Sequence, residues 1–521
     1  MEPEQPDDFK GVADAKAGTL RGSMKQSFVL LPARGLRSPT MLNVGRKIGS
    51  FVGVAGARVG VDTTGPSTRA PGIKILHSMH EDGPKLAALE PAEVEALHVT
   101  DPEVRAVPLV YYELARLPVL KLAPTAQPAS AAIAVALRLT VQDSNTSVPV
   151  AGAQVIAFTD FANRSGAEAV TDMSGIATLT LNAASLTVDA LVIYGPAGHW
   201  GLFKRALAIQ DGDALTIDPV NLRQPDYLLD TFGARPLSAG TGVKVGIIDT
   251  GVDRHHPDLA VSGGAVFVVT ESDAGDFGPA SVQGEHGTHV AGIVASRGRA
   301  PTGKPGIAAG VTLMSYRVFG NKGGGAGNYD IMRAIERGVD DGCDLLNLSF
   351  ELGTPDEAVH NAIQAALDRG TVCIAAAGNN NRQGVAYPAQ WPEAVAISAV
   401  GKTGTFPASS SETVDILAPF AGSDPRVFVA GFSNIGPEIA FTAPGVGILS
   451  TLPGGRYGVM SGTSMACPAA LGVTAALLAS SPTILAMPRD AARTAAIRGL
   501  MNSAAKALGF PKNFEGLGVI L

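Results

Sequence analysis

The chain has 521 residues, too many for one typical domain, so two or three domains are expected. Charged residues make up 17% and hydrophobic ones 46%, a composition that can bury a large core and argues against disorder beyond the first stretch of the chain. The formal net charge of −7, without a Lys/Arg cluster, gives no reason to expect nucleic acid or an anionic membrane as a partner, and no apolar run is long enough to span a bilayer.

Residues 1–25 are polar, rich in Gly and Ala and without periodicity, and are read as a disordered leader. They carry no basic n-region or apolar h-region, so no standard secretory signal is expected, which leaves cytoplasmic residence or an unconventional export route. Residues 26–117 read as a small α+β module. FVLLP and Lys74–Met79 are strand-like, Pro91–Val99 has helical spacing and Val104–Leu114 is strand-like again, with a Gly-, Arg- and Pro-rich stretch, Gly45–Gly72, between the first two strands. Residues 118–130 (PVLKLAPTAQPAS) have linker composition, where processing would be easiest. From 131 to 212 the period is two: Val135, Leu137, Leu139 and Val141 alternate, AQVIAFTD and GIATLTLN repeat the habit, and Asp143-Ser144-Asn145 and Met173-Ser174-Gly175 signal turns. A β-sandwich is expected, and the pattern resembles bacterial Ig-like modules.

Residues 213–521 alternate strand and helix. Val243–Asp249, Val311–Phe319, Cys343–Phe350, Thr371–Ala377 and Ala394–Val400 are near-continuous apolar runs, as parallel strands covered on both faces require. Helices are expected near His286–Ser296, Asn328–Gly338 and Asp356–Asp368, with two more after Ser464. This is a doubly wound, mostly parallel α/β sheet, whose sites lie beyond the carboxyl ends of strands, where Asp249 and Asn379 fall.

Three stretches carry chemistry. Gly462-Thr463-Ser464-Met465-Ala466-Cys467-Pro468 places a serine at the start of an apolar helix, VKVGIIDTGVD ends a strand on Asp249, and GEHGTHVAGIVAS begins a helix with His286 in its first turn. A serine hydroxyl is a weak nucleophile at neutral pH and needs a histidine to take its proton and a carboxylate to hold the imidazole. With AAAGNN around Asn379 between His and Ser, the four stretches in this order resemble the subtilisin-like serine proteases, the subtilases of peptidase family S8, over roughly 226–521.

That resemblance implies a serine endopeptidase acting on peptides or proteins, and by family analogy a secreted one. Ser464 would be the nucleophile, His286 general base and then acid, Asp249 the orienting carboxylate, and Asn379 with the Ser464 N–H the oxyanion hole. It further implies that substrate pairs as an added strand with Gly325-Ala326-Gly327 on one side and Ser349-Phe350-Glu351 on the other, the latter facing Ala376-Ala377-Gly378 across the pocket for P1, the residue before the scissile bond. Glu351 stands where small residues are usual and is expected to narrow that pocket or make it acidic, favouring small or basic P1 residues. The 26–117 module resembles an inhibitor-type propeptide, which would make it an intramolecular inhibitor, with maturation near Pro118–Ser130 or near Asp211–Asp226. Where relatives bind calcium, this chain has SRGRAPTGKPG, cationic and without a carboxylate, so no metal is expected there and no cofactor is implied. Met465, beside the nucleophile, is expected to make activity sensitive to oxidants.

Elsewhere, His289 is read as a packed structural histidine, Asp253, His255 and His256 as a solvated loop, and Cys343, Cys373 and Cys467 as buried free thiols. A monomer is expected. Two other readings compete: a catalytically dead scaffold that binds a partner, which has no need of all four site residues, and esterase or peptide-ligase chemistry from the same acyl-enzyme.

Overall fold

A computed structural model describes residues 25–42, 44, 73–115, 120–123, 135–181, 185–224, 226–271, 276–299 and 303–521. The expected leader, apart from Lys25, the stretch 45–72 and most of the 118–130 linker lie outside the described residues. The chain divides into two units, residues 1–110 with 327–333 and 356–365, and residues 111–326 with 334–355 and 366–521.

In the first unit a four-stranded antiparallel sheet has the order Lys74–Ser78, Lys85–Leu89, Gln26–Pro32, Val104–Pro108. The helix Pro91–Thr100 starts on a capping box in which Glu90 and Glu93 satisfy each other's backbone N–H groups. Leu30, Met41, Ala87, Leu89, Leu97 and Val104 form its core. The sequence reading missed the strand Lys85–Leu89, because KLAAL has no alternation, and partners on both sides supply what propensity does not. Two helix N-terminal segments complete this unit. Asn328 Nδ2 donates to Pro108 O (3.0 Å) and to Asp356 Oδ1 (2.9 Å), Asn328 N donates to Val110 O (2.9 Å), and Arg105 pairs with Glu357 at 2.8 Å.

The expected single strand Val104–Leu114 is two. Val104–Pro108 belongs to the sheet just described, where Leu109 N still donates to Ser27 O (3.0 Å), and Tyr111–Leu114 starts a new strand in the second unit.

Residues 135–217 form two facing sheets. One is antiparallel, with the order Leu202–Gln210, Ser185–Tyr194, Gln154–Asp160, Ser165–Val170; the other runs Ala214–Ile217, Val135–Asp143, Ile176–Leu181. Leu137, Leu139 and Val141 point between the sheets with Val155, Leu179, Leu191 and Ile193, which explains the period of two. The module runs past the expected boundary at 212, because Ala214–Ile217 pairs in parallel with Val135–Asp143; four residues are too short to be read as a strand from their own pattern.

The rest of the second unit is built on a nine-stranded sheet. Its parallel part has the order Val261–Val266, Thr312–Arg317, Lys244–Asp249, Leu345–Leu348, Val372–Ala376, Val395–Lys402, with Ile439–Pro444 also parallel to the last of these. Val427–Ala430 and Ile416–Phe420 extend it as antiparallel strands not anticipated from the sequence. Strand order reverses at Lys244–Asp249, so Asp249 ends the strand at the switch point, where sites in such sheets form. The uncharged, mostly apolar helix Thr463–Ala479 packs on the strands at 372–376 and 395–402 and against the helix Glu285–Ala295.

Candidate active site

Asp249 is fully buried and His286 nearly so. The His286 Nδ1 lies 2.8 and 3.0 Å from the two Asp249 carboxylate oxygens, and Thr250 N donates to Asp249 Oδ1 at 2.7 Å. The contact requires Gly287: a Cβ there would sit 2.5 Å from Gly251 O and 3.1 Å from Asp249 Oδ1, so any side chain would push the helix off the strand end. Thr250 Oγ1 accepts from Gly287 N (2.9 Å) and holds the first turn of that helix. With Nδ1 committed to a carboxylate, Nε2 is left as the proton acceptor of a neutral ring, and it is buried with no hydrogen-bond partner among the described residues.

Ser464 occupies the first turn of the Thr463–Ala479 helix, entered through Gly462 at φ +154°. Pro468, four residues on, has no N–H to give the Ser464 carbonyl, which instead accepts from Ser349 Oγ at 3.2 Å. Asn347 Nδ2 donates to the same Ser349 hydroxyl at 2.8 Å. A proline inside the helix thus ties the nucleophile turn to the strand edge at Ser349.

Asn379 ends the loop after Val372–Ala376. Its Oδ1 accepts from Thr463 N and Thr463 Oγ1, both at 2.9 Å, so the amide orientation is set and Nδ2 is the free end. That Nδ2 is buried and has no partner among the described residues. Asn379 N donates to Glu351 Oε2 at 3.0 Å.

The strand Tyr111–Leu114 runs through this site. It pairs antiparallel with Phe350–Glu351, Leu114 opposite Phe350 and Glu113 opposite Glu351, and Ala115 N donates to Ser349 O at 3.2 Å. On its other side a Cβ on Gly325 would lie 2.6 Å from Tyr112 O, a close approach that only glycine permits. Ala115 is fully buried, and its carbonyl oxygen accepts from Ser464 N at 3.2 Å and from the Ser464 hydroxyl. The Ser464 hydroxyl also lies 3.2 Å from Ser349 O. Sequence reasoning placed Gly325 and Ser349-Phe350-Glu351 at this cleft and expected the 26–117 module to block it, but did not single out Tyr111–Ala115 as the segment that enters, because YYEL carries no sign of where it docks.

Other expectations resolve by packing. His289 Nε2 faces Ile448 O (3.0 Å) and Gly458 O (3.2 Å), and burial, then the neighbouring His286, holds its pKa down at about 3, so it is a neutral ring donating to two carbonyls. The solvated loop expected at Asp253, His255 and His256 is corrected in part: His255 is exposed, but Asp253 and His256 are buried against the hairpin 448–460, Asp253 Oδ2 accepting from Gly454 N (2.8 Å) and His256 Nε2 meeting Arg456 O (3.1 Å). Cys343, Cys373 and Cys467 are buried free thiols, and burial pushes the first two up to about 12, far from a reactive thiolate.

Among the described residues around 296–306, the nearby carboxylate oxygens are already engaged. Asp258 Oδ1 is taken by Arg299 N at 2.7 Å and Asp258 Oδ2 by the Tyr457 hydroxyl, while the Lys304 ammonium lies 3.0 Å from Asp226. A buried ammonium already balances the buried carboxylate there.

A carboxylate–imidazole pair at the switch point of a parallel sheet, its histidine on a helix packed against the helix that begins with a serine, and an unpaired amide held beside that serine, define an α/β protein with a Ser/His/Asp site. Residues 240–519 match the subtilase family, and the chain belongs to it. Subtilisin NAT of Bacillus subtilis subsp. natto is 37% identical over 248 residues, covering 47% of this chain and 57% of that protein. Subtilisin DY of Bacillus licheniformis is 35% identical over 286 residues, 54% of this chain and 89% of that protein. The Thermophilic serine proteinase of Bacillus sp. (strain AK1) is 37% identical over 242 residues, 46% of this chain and 53% of that protein. The chain thus spans little more than half the length of the first and third of these relatives.

Proposed function

We propose that this chain is a serine endopeptidase made as a self-inhibited precursor, in which the segment ending at Ala115 fills the cleft. The observation that carries the reading is the Ala115 carbonyl, held by the Ser464 N–H and hydroxyl where His286 Nε2 and Asn379 Nδ2 are both buried and unpaired. Ser464 Oγ attacks a substrate carbonyl carbon as its proton passes to His286 Nε2, Asp249 stabilises the imidazolium, and Asn379 Nδ2 with Ser464 N receives the oxyanion. His286 then gives the proton to the leaving amine, and water releases the acyl-enzyme. With the cleft filled, the Ser464 hydroxyl donates to the Ala115 carbonyl and not to His286, so it must turn before it can react. Every group in this scheme comes from one chain, which supports a monomer as the working unit.

This reading places the maturation bond directly after Ala115, ahead of both regions expected from composition. The sandwich then stays with the catalytic part. Leu120 N bonds the Tyr194 hydroxyl (2.9 Å), Ala123 N bonds Arg164 O (2.9 Å), and Phe203 N bonds Ser409 O (2.8 Å), so the chain beyond the cut is tied to the sandwich and the sandwich to the catalytic domain. Its two-sheet build and alternating core support an Ig-like module. Intact mass over time on the full chain, beside Ser464→Ala, is expected to show fragments 1–115 and 116–521 in the wild type alone. Fluorophosphonate labelling should follow the cut. A stable, unlabelled wild type, or a cut near Asp211–Asp226, overturns the proposal.

Release of the cut segment is expected to depend on pH. Burial, with the Glu113 carboxylate opposite, pushes Glu351 from 4.5 up to about 7 while the cleft is filled. Once the segment leaves, solvent returns and Glu113 goes, so Glu351 falls back. The filled state therefore favours the protonated acid, and its affinity is fully present at low pH and is lost as pH rises towards 7, by up to about tenfold per unit of the difference. Size-exclusion chromatography of the nicked protein should retain fragment 1–115 at pH 5 and lose it at pH 8. In Glu351→Gln the two runs should agree more closely.

A further inference from the structure

Glu351 does more than border the cleft. Its backbone sits in the strand edge that pairs with Glu113, while its carboxyl group reaches across to the loop after Val372–Ala376. There Oε2 accepts from Asn379 N at 3.0 Å and meets the Asn380 side-chain amide at 3.4 Å. The side chain thus bridges the strand edge 349–351 and the loop 377–380.

The space at that loop is already full. Gly378 has φ +103°, and a Cβ there would overlap the Glu351 carboxylate and the Asn434 amide. The loop itself is pinned: Ala377 N donates to Ile397 O (3.0 Å), Ala386 N to Ala377 O (2.9 Å), Gly378 N to Thr463 Oγ1 (3.2 Å) and Asn434 N to Gly378 O (2.9 Å). The loop wall thus has little slack to move away from a larger side chain. The residue placed before the bond in question is Ala115, whose methyl group is completely enclosed.

Resting on the endopeptidase reading, we propose that Glu351 bars the gap between these walls and sets the specificity of the enzyme for an alanine-sized P1 residue. Its carboxyl group is committed to the Asn379 N–H and the Asn380 amide, so it acts as a bar and not as a counter-ion for a basic side chain. The same hydrogen bond makes Glu351 a positioning residue. It holds the backbone of Asn379 while Thr463 holds the side-chain oxygen, and together they aim Nδ2 at the oxyanion.

The test uses the matured protein and peptide substrates that differ only in P1, with Ala, Phe or Arg. Wild type is expected to prefer Ala over both by at least about tenfold in kcat/KM, the scale on which a pocket rejects added side-chain bulk. Glu351→Gly should shift the Phe to Ala ratio towards Phe by at least about tenfold, and lower kcat for the Ala substrate with little change in KM as Asn379 loses its backbone tether. Glu351→Gln, of the same length and with an oxygen to accept the same bond, should keep the Ala preference. Wild type cutting after Phe or Arg as readily as after Ala overturns the proposal. So does Glu351→Gly with an unchanged ratio, or Glu351→Gln with the preference lost. Fluorophosphonate labelling of each sample separates the two levels: an unlabelled wild type removes the endopeptidase reading and this proposal with it, whereas a labelled wild type with no P1 preference removes this proposal alone.

Discussion

Ser464→Ala or His286→Ala is expected to lower kcat for peptide cleavage by about a millionfold, a magnitude taken from subtilisin, which this chain resembles. The reason lies in the division of labour. Asp249 occupies Nδ1 of His286, which leaves only Nε2 to accept a proton, and the pair is sealed from water on the strand end. Without His286 the Ser464 hydroxyl has no base, and without Ser464 the base has no nucleophile to activate. The double variant is therefore expected to be no worse than either single one, since the residues act as one unit. Asp249→Asn should cost about ten-thousandfold, because an amide facing Nδ1 favours the wrong tautomer and cannot balance an imidazolium. Steady-state cleavage of a casein or peptide substrate by matured protein measures all of these. Ser464→Ala must be assayed after cutting by wild-type enzyme that is then inactivated with a fluorophosphonate, since it cannot cut itself. Retention of more than about a thousandth of the wild-type kcat by Ser464→Ala would show that the nucleophile lies elsewhere.

Asn379→Ala is expected to lower kcat by about a hundred- to a thousandfold, equivalent to about 2.7–4 kcal/mol of transition-state stabilisation, with KM nearly unchanged. This range also comes from a subtilisin. The structure supplies the local reason, since Nδ2 is buried and unpaired while Oδ1 is fixed by two bonds from Thr463, so the donor pays no reorganisation when charge develops. Alanine also strips Thr463 of its acceptor, which could loosen the nucleophile turn. Asn379→Asp answers that concern, because it keeps an oxygen for Thr463 while replacing the donor with a group that repels the oxyanion. A comparable loss in kcat for both variants assigns the effect to the lost donor. Full activity in Asn379→Asp would sink the oxyanion role.

Much of the site was legible from the chain because its signals are local. Asp249 and Asn379 fall at the ends of apolar strands, and His286 and Ser464 at the starts of apolar helices, so each is marked by the residues beside it. His289 shares a helix face with His286 and was still read as structural, because no carboxylate or third ligand stands at a metal-binding spacing in the sequence. Asp253 and His256 were misread because their polar loop looks solvated, and only the distant hairpin 448–460 covers it. Lys85–Leu89 and Ala214–Ile217 are strands by virtue of their neighbours, since neither has enough alternation or length to declare itself.

By itself the sequence determined that the chain holds a parallel α/β sheet, a module of alternating strands before it, and a serine, a histidine and a carboxylate in an order that fits one family. Periodicity and strand-end or helix-start position are written into neighbouring residues, and nothing else is needed to read them. Only the tertiary structure decided which residues of the N-terminal module occupy the cleft and how the cleft is shaped. Ala115 and Ser464 stand 349 positions apart, as do their hydrogen-bonding atoms in the sequence count, and Glu351 lies 28 positions from the amide it holds. Contacts at such separations depend on how strands stack and where loops close, which no local pattern records.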